Sequence, residues 1–133
     1  MGRAFTPRPY QRYAIRRIID TPAVALLLDM GMGKTVSTLT AIDELMYDRF
    51  AVRKVLVIAP LRVALSTWRD ECELWEHTRH LRISVAVGDL KHREAALHDD
   101  ADIYVVNRDV VKWLVGYYRA KWPFDMVVVD ESS

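Results

Sequence analysis

Five short apolar runs set the frame for this chain, at residues 23–28, 55–59, 83–87, 103–106 and 126–129. Each is rich in Val, Ile and Leu and apolar at nearly every position, without the alternation of a strand that faces water on one side. Strands of that kind have both faces covered, as in a parallel sheet flanked by helices. The intervening segments read as helices, at 9–19, 34–46, 63–75, 91–98 and 108–118. In the first, Tyr10, Tyr13, Ala14, Arg17 and Ile18 fall at helical spacing, and Thr21-Pro22 ends it. In the second, Val36, Leu39, Ile42 and Leu45 share a side. In the third, Leu65, Trp68, Cys72 and Trp75 form one stripe, expected to pack on the sheet as core. Strand–helix alternation predicts an α/β fold, a mostly parallel sheet of about five strands with right-handed crossovers.

Bulk properties exclude more than they select. The 133 residues are one domain in size, and 51% hydrophobic with 28% charged residues is ordinary for a globular protein. No apolar run is long enough to span a bilayer, and the basic N-terminus lacks the apolar stretch of a signal peptide. These features predict no membrane partner. Cys72 is the single cysteine, so no internal disulfide can form and a reducing, cytoplasmic setting is expected. Nineteen basic residues against eighteen acidic give a net charge of +1, too small to steer nucleic acid strongly. Arg3, Arg8, Arg12, Arg16 and Arg17 cluster near the start, a pattern more typical of a solvated helix face than of a binding patch. His77, His80, His92 and His98 match no zinc spacing with Cys72 and are expected at the surface.

Chemistry concentrates at two places. Leu26-Leu27-Leu28-Asp29-Met30-Gly31-Met32-Gly33-Lys34-Thr35 leaves an apolar run and opens a helical segment. That context marks a phosphate-binding loop. Gly31 and Gly33 let backbone N–H groups turn toward phosphate oxygens where a Cβ would obstruct them. The helix start adds its positive dipole end, Lys34 a charge for the β- and γ-phosphates, and the Thr35 hydroxyl a Mg²⁺ ligand. Leu28 stands where such loops usually begin with glycine, which argues against a generic kinase or small GTPase and for a helicase-type variant. The second place is Asp130-Glu131, at the end of the last apolar run. In a phosphate-loop ATPase, the neighbouring strand delivers an Asp to the magnesium shell, and an adjacent Glu orients or deprotonates the attacking water.

Arg8-Pro9-Tyr10-Gln11, Asp29 to Thr35, Ile58-Ala59-Pro60-Leu61 with Trp68 and Glu71, and Asp130-Glu131 follow one another in order. That series resembles the motifs of superfamily-two helicases, most closely the Swi/Snf-type branch in its compact bacteriophage versions, over nearly the whole chain. The resemblance implies a RecA-like lobe binding ATP and Mg²⁺ through Met30, Gly31, Met32, Gly33, Lys34, Thr35 and Asp130. Glu131 would take the catalytic role beside Lys34 and Asp130, and Gln11 would contact the adenine edge. Pro60-Leu61-Arg62 and Asn107-Arg108 correspond to segments that touch the nucleic-acid backbone, DNA being the expected partner, in a bacterial or infected host cell. Ser132 and Ser133 depart from the Ala/Gly and His/Asp common after the acidic pair.

On this reading residues 1–133 form the first lobe of a longer motor, truncated just after the acidic pair, with the second lobe absent. The missing lobe normally supplies the arginines that complete the γ-phosphate site, so the isolated chain is expected to hydrolyse little ATP. Two other classes share the loop, a packaging or clamp-loading ATPase and a non-catalytic nucleotide-binding module. In all three, Lys34→Ala should weaken binding of a fluorescent ATP analogue by about 2 kcal/mol or more, through loss of a charge-assisted contact. Equal affinities in a titration of both proteins would remove the loop from consideration.

Overall fold

A computed structural model describes Ala4, Leu26–Leu28 and residues 34–130, with a continuous run of side chains from Thr35 to Asp130. Five strands, β1 (Leu26–Leu28), β2 (Val55–Ala59), β3 (Ile83–Val85), β4 (Ile103–Asn107) and β5 (Met126–Asp130), form one sheet in the order β1-β5-β2-β4-β3. Every pairing is parallel. The helices between them are α1 (Lys34–Asp43), α2 (Trp68–Leu74), α3 (Leu90–His98) and α4 (Arg108–Tyr118).

The continuous apolar runs are explained by what covers them. Side chains alternate across a strand, and here each half of the alternation meets its own core. Val55, Val57 and Ala59 of β2 and Ile103 and Val105 of β4 pack with Leu39, Ile42 and Leu45 on one face, together with Trp68 and Cys72. Leu56, Tyr104 and Val106 pack on the other face with Ala96, Leu97, Val110, Leu114 and Phe124. The result is three layers, with α1 and α2 on one side and α3 and α4 on the other. β4 is buried at all five positions, which is the reason it contains no alternating polar residue.

Helix 63–75 departs from a uniform spiral. Residues Val63–Thr67 form a π-turn before α2 begins at Trp68. Bonding from i to i+5 widens the turn. The residue four before Trp68, Ala64, therefore shares its buried face, whereas Leu65, expected on the stripe, is exposed. Segment 34–46 likewise changes character, with α1 passing into a π-turn at Glu44–Asp48. β3 ends at Val85, two residues short of the expected run, although the Ala86 N–H still donates to the Val105 carbonyl at 2.8 Å. β4 and β5 each run one residue further, onto the polar Asn107 and Asp130. The expected helix 9–19 and residues 23–25 lie outside the described residues.

The connection after α2 folds back on α1 through polar contacts. The Thr40 hydroxyl donates to the Val36 carbonyl at 2.7 Å, so its one proton is committed and His77 Nε2–H must donate to Thr40 Oγ1 across 2.6 Å. His80 meets Asp43 at 2.6 Å, and the Cys72 and Thr78 side chains each bond the other residue's carbonyl. Desolvation lowers the pKa of His77, with Asp43 opposing and His80 assisting the shift. A depressed pKa means the unfolded chain binds the proton more readily. The stability His77 contributes is present above about pH 6.5, the unfolded value, and is lost as pH falls toward its lower folded value. Melting temperatures measured from pH 8 to pH 5 should fall with acidification. His77→Gln, which keeps an N–H donor, should show a shallower fall; an identical slope would exclude His77 as its source.

Candidate nucleotide and nucleic-acid site

A parallel sheet delivers the carboxyl ends of its strands to a single edge, where open α/β folds bind ligands. The registers fix which ends are neighbours. Leu28 of β1 pairs with Asp130 of β5, Ile58 of β2 pairs with Val129, and Ala59 pairs with Asn107 of β4. The carboxyl ends of β1, β5, β2 and β4 therefore lie side by side. Pro60-Leu61-Arg62 and Asn107-Arg108 follow two of these ends, and Asp130 closes a third.

Asp130 closes β5 next to the last residue of β1, and its carboxylate is fully buried. α1 opens at Lys34, and Thr35, Ser37 and Thr38 in its first turns are buried. Gln11, Met30, Gly31, Met32, Gly33 and Glu131 lie outside the described residues, as does the Lys34 side chain. Leu61 and Arg62 are exposed just past β2. Asn107 caps the start of α4 and is buried, with Arg108 exposed beside it. The Ala59–Asn107 pairing brings Pro60-Leu61-Arg62 and Asn107-Arg108 to adjacent positions. The Asn107 Oδ1 is buried without a hydrogen-bond partner among the described residues.

One contact here was not legible in the sequence, where Trp68 reads as core and as part of the motif series without an assigned partner. Trp68 is fully buried, and its Nε1–H donates to Asp130 Oδ2 at 3.0 Å. The pointer available beforehand was generic: a buried indole N–H requires an acceptor. Nothing in the spacing says that the acceptor lies 62 residues away.

The donor set suits a hard divalent cation, because a threonine hydroxyl and a carboxylate are the oxygen ligands Mg²⁺ accepts beside phosphates. A fully buried carboxylate also calls for compensation by hydrogen bonds or a cation, and Trp68 supplies one such bond. Residues 14–133 match the SNF2-related domain family. The chain belongs to that family.

Its relatives fit the assignment. Protein p41 of Acyrthosiphon pisum secondary endosymbiont phage 1 is 42% identical over 132 residues, 98% of this chain and 29% of its own length. The bifunctional helicase and thymine dioxygenase JBP2 of Trypanosoma cruzi (strain CL Brener) is 27% identical over 93% of this chain and 13% of its own length. Among solved structures, the Sulfolobus solfataricus SWI2/SNF2 ATPase core in complex with dsDNA superposes with a TM-score of 0.72. It is 26% identical, and the match covers 96% of this chain and 26% of that one. The chain thus spans under a third of each relative and carries a RecA-like lobe of a helicase-like SNF2 ATPase domain.

A cysteine–histidine metal centre has no support in the described residues. His80, His92 and His98 are exposed, His77 is half-buried, and no three His, Cys, Asp or Glu side chains among those described come together. Among them, too, no helix is long and apolar enough to cross a membrane. Burial, with smaller contributions from Glu73, Asp102 and Asp43, pushes the Cys72 thiol up to about 12. The reactive thiolate is then scarce at pH 8, so native alkylation by iodoacetamide should run at least about a hundredfold slower than in denaturant. Equal rates would show that Cys72 is accessible in the folded chain.

Proposed function

We propose that this chain is the ATP·Mg²⁺-binding lobe of an SNF2-type, DNA-dependent motor that moves along or remodels nucleic acid. The observation that carries the proposal is the register of β1 with β5. It sets Asp130 beside Leu28, with residues 29–33 leading from Leu28 into the helix that opens at Lys34. The backbone of Gly31 and Gly33 would cradle phosphates, with Met30 and Met32 completing the loop. Lys34 would neutralise phosphate charge, and Thr35 and Asp130 would hold Mg²⁺. Gln11 would read the adenine edge, and Glu131 would orient a water. Bound there, Mg·ATP would supply the phosphoanhydride whose hydrolysis drives movement.

In the longer protein, a second lobe would provide arginine fingers, each worth about 10³–10⁵ in rate, so this lobe alone would turn over little. A single, buried cysteine is consistent with the reducing cytoplasm proposed for the chain. Arg62 and Arg108, with Pro60, Leu61 and Asn107 around them, would form half of the nucleic-acid track through phosphate contacts. A motor crosses arbitrary sequence, and backbone contacts are sequence-tolerant where base-edge contacts are not.

Fluorescence anisotropy with unrelated oligonucleotides should show weak, sequence-indifferent binding. Each phosphate contact should add ~0.7–0.9 to the log–log salt slope. Arg62→Ala combined with Arg108→Ala should reduce that slope by about 1.4–1.8. Strong discrimination between sequences, or binding undiminished at high salt, would instead indicate a specific recognition module.

A further inference from the structure

We infer that Trp68 is a positioning residue for the magnesium-binding carboxylate, a role that rests on the assignment of Asp130 proposed above. The geometry is specific. Asp130 ends an apolar strand, is fully buried, and receives the Trp68 indole N–H on Oδ2 at 3.0 Å. A hydrogen bond to one carboxylate oxygen restricts rotation about Cβ–Cγ. It thereby sets the plane in which the carboxylate can present lone pairs to a cation. Trp68 is itself held rigidly, because it is the first residue of α2 and is packed among Val57, Val105 and Val128 in the core beneath the sheet. Neither phenylalanine nor leucine could replace this function, although either would fill the volume.

Two features separate this arrangement from ordinary core packing. First, the acceptor is the one carboxylate that ends a strand beside β1, whereas an indole needing only satisfaction could bond any nearby carbonyl. Second, Trp68 starts α2 immediately after the π-turn Val63–Thr67, which itself follows Pro60-Leu61-Arg62. Extra-wide turns of this kind frequently mark functional positions in helices. Here the turn lets Ala64 enter the core and leaves Leu65 outside, so that Trp68 reaches β5 while Leu61 and Arg62, in the helical turn before it, stay exposed.

The test measures Mg²⁺-dependent binding of a fluorescent, non-hydrolysable ATP analogue to the 133-residue chain. Wild type, Trp68→Phe and Asp130→Asn are compared, with circular dichroism melts confirming the fold of each. Asp130→Asn should abolish the enhancement of binding by Mg²⁺. Trp68→Phe should retain it but shift the Mg²⁺ midpoint upward by roughly tenfold, the worth of a hydrogen bond to a charged group, while affinity without Mg²⁺ stays unchanged. An unshifted midpoint in Trp68→Phe, with the Asp130→Asn effect intact, would overturn the inference about Trp68 alone. Unaltered Mg²⁺ dependence in Asp130→Asn would overturn the assignment of Asp130 and this inference with it.

Should Trp68→Phe fail to fold, the wild-type chain supplies the readout. Its four tryptophan indole N–H resonances can be followed by ¹⁵N–¹H spectroscopy. The resonance that moves in Asp130→Asn should also move when Mg²⁺ is added to the nucleotide-bound protein. If that resonance is indifferent to Mg²⁺, the indole does not report on the cation site and the inference fails.

Discussion

The interaction on which most of the structure depends is the parallel pairing of β5 between β1 and β2. Parallel strands cannot be joined by a tight turn, so each pairing requires a crossover, and the crossover helices must bury both faces of the sheet. That requirement explains two cores instead of one, and the long apolar runs that alternate between them. It also places every strand's carboxyl end on one edge. The site is therefore a consequence of the topology before any particular side chain is considered.

Burying Asp130 at that edge has a cost, because a carboxylate moved out of water destabilises the fold unless it is paired or hydrogen-bonded. The chain offsets the cost locally. Trp68 donates from the face covered by α2, and the hydroxyl-bearing first turns of α1 are buried at the same edge. Ser37 and Thr38 are otherwise poor choices for a helix interior, since their side chains compete with backbone hydrogen bonds. They are nonetheless buried at the start of α1, along with Thr35. Further along, the same helix returns to Leu39, Ile42 and Leu45, each fully buried.

Continuity of hydrophobicity made the strands legible, and 55–59 coincides with β2 residue for residue. The segment 108–118, read as a helix between two apolar runs, coincides with α4, whose Val110 and Leu114 face the core while Arg108 and Asp109 remain outside. What could not be read were features with no period. Asn107 and Asp130 belong to their strands through backbone pairing, but their polarity ended the apolar runs one residue early. The π-turn at Val63–Thr67 changes the number of residues per turn, so a stripe drawn at ideal helical spacing misplaced Leu65. The Trp68–Asp130 bond joins residues far apart in sequence and requires the folded sheet to bring them together. The acidic pair and the glycine loop were recognisable as motifs because their chemistry dictates residue type as well as position.

The stretch from Pro60 to Trp68 carries exposed Arg62 near one end and the donor to Asp130 at the other. Its interior is the π-turn, whose i to i+5 bonding replaces the i to i+4 bonding of an uninterrupted α-helix. Leu61 and Arg62 are themselves helical, so the exposed arginine and the buried indole belong to one continuous helical run. If that run moves Trp68, the carboxylate it holds moves too. On the assignments proposed above, linkage would impose reciprocity: whatever factor nucleic acid at Arg62 applied to cation affinity at Asp130, the cation would apply to nucleic-acid affinity. A fully packed tryptophan is well suited to transmit such a shift, since close-packed interiors pass on strain that looser surroundings would absorb. In this fold a short path between exposed Arg62 and the buried Asp130 carboxylate runs along one helical run and across a single hydrogen bond.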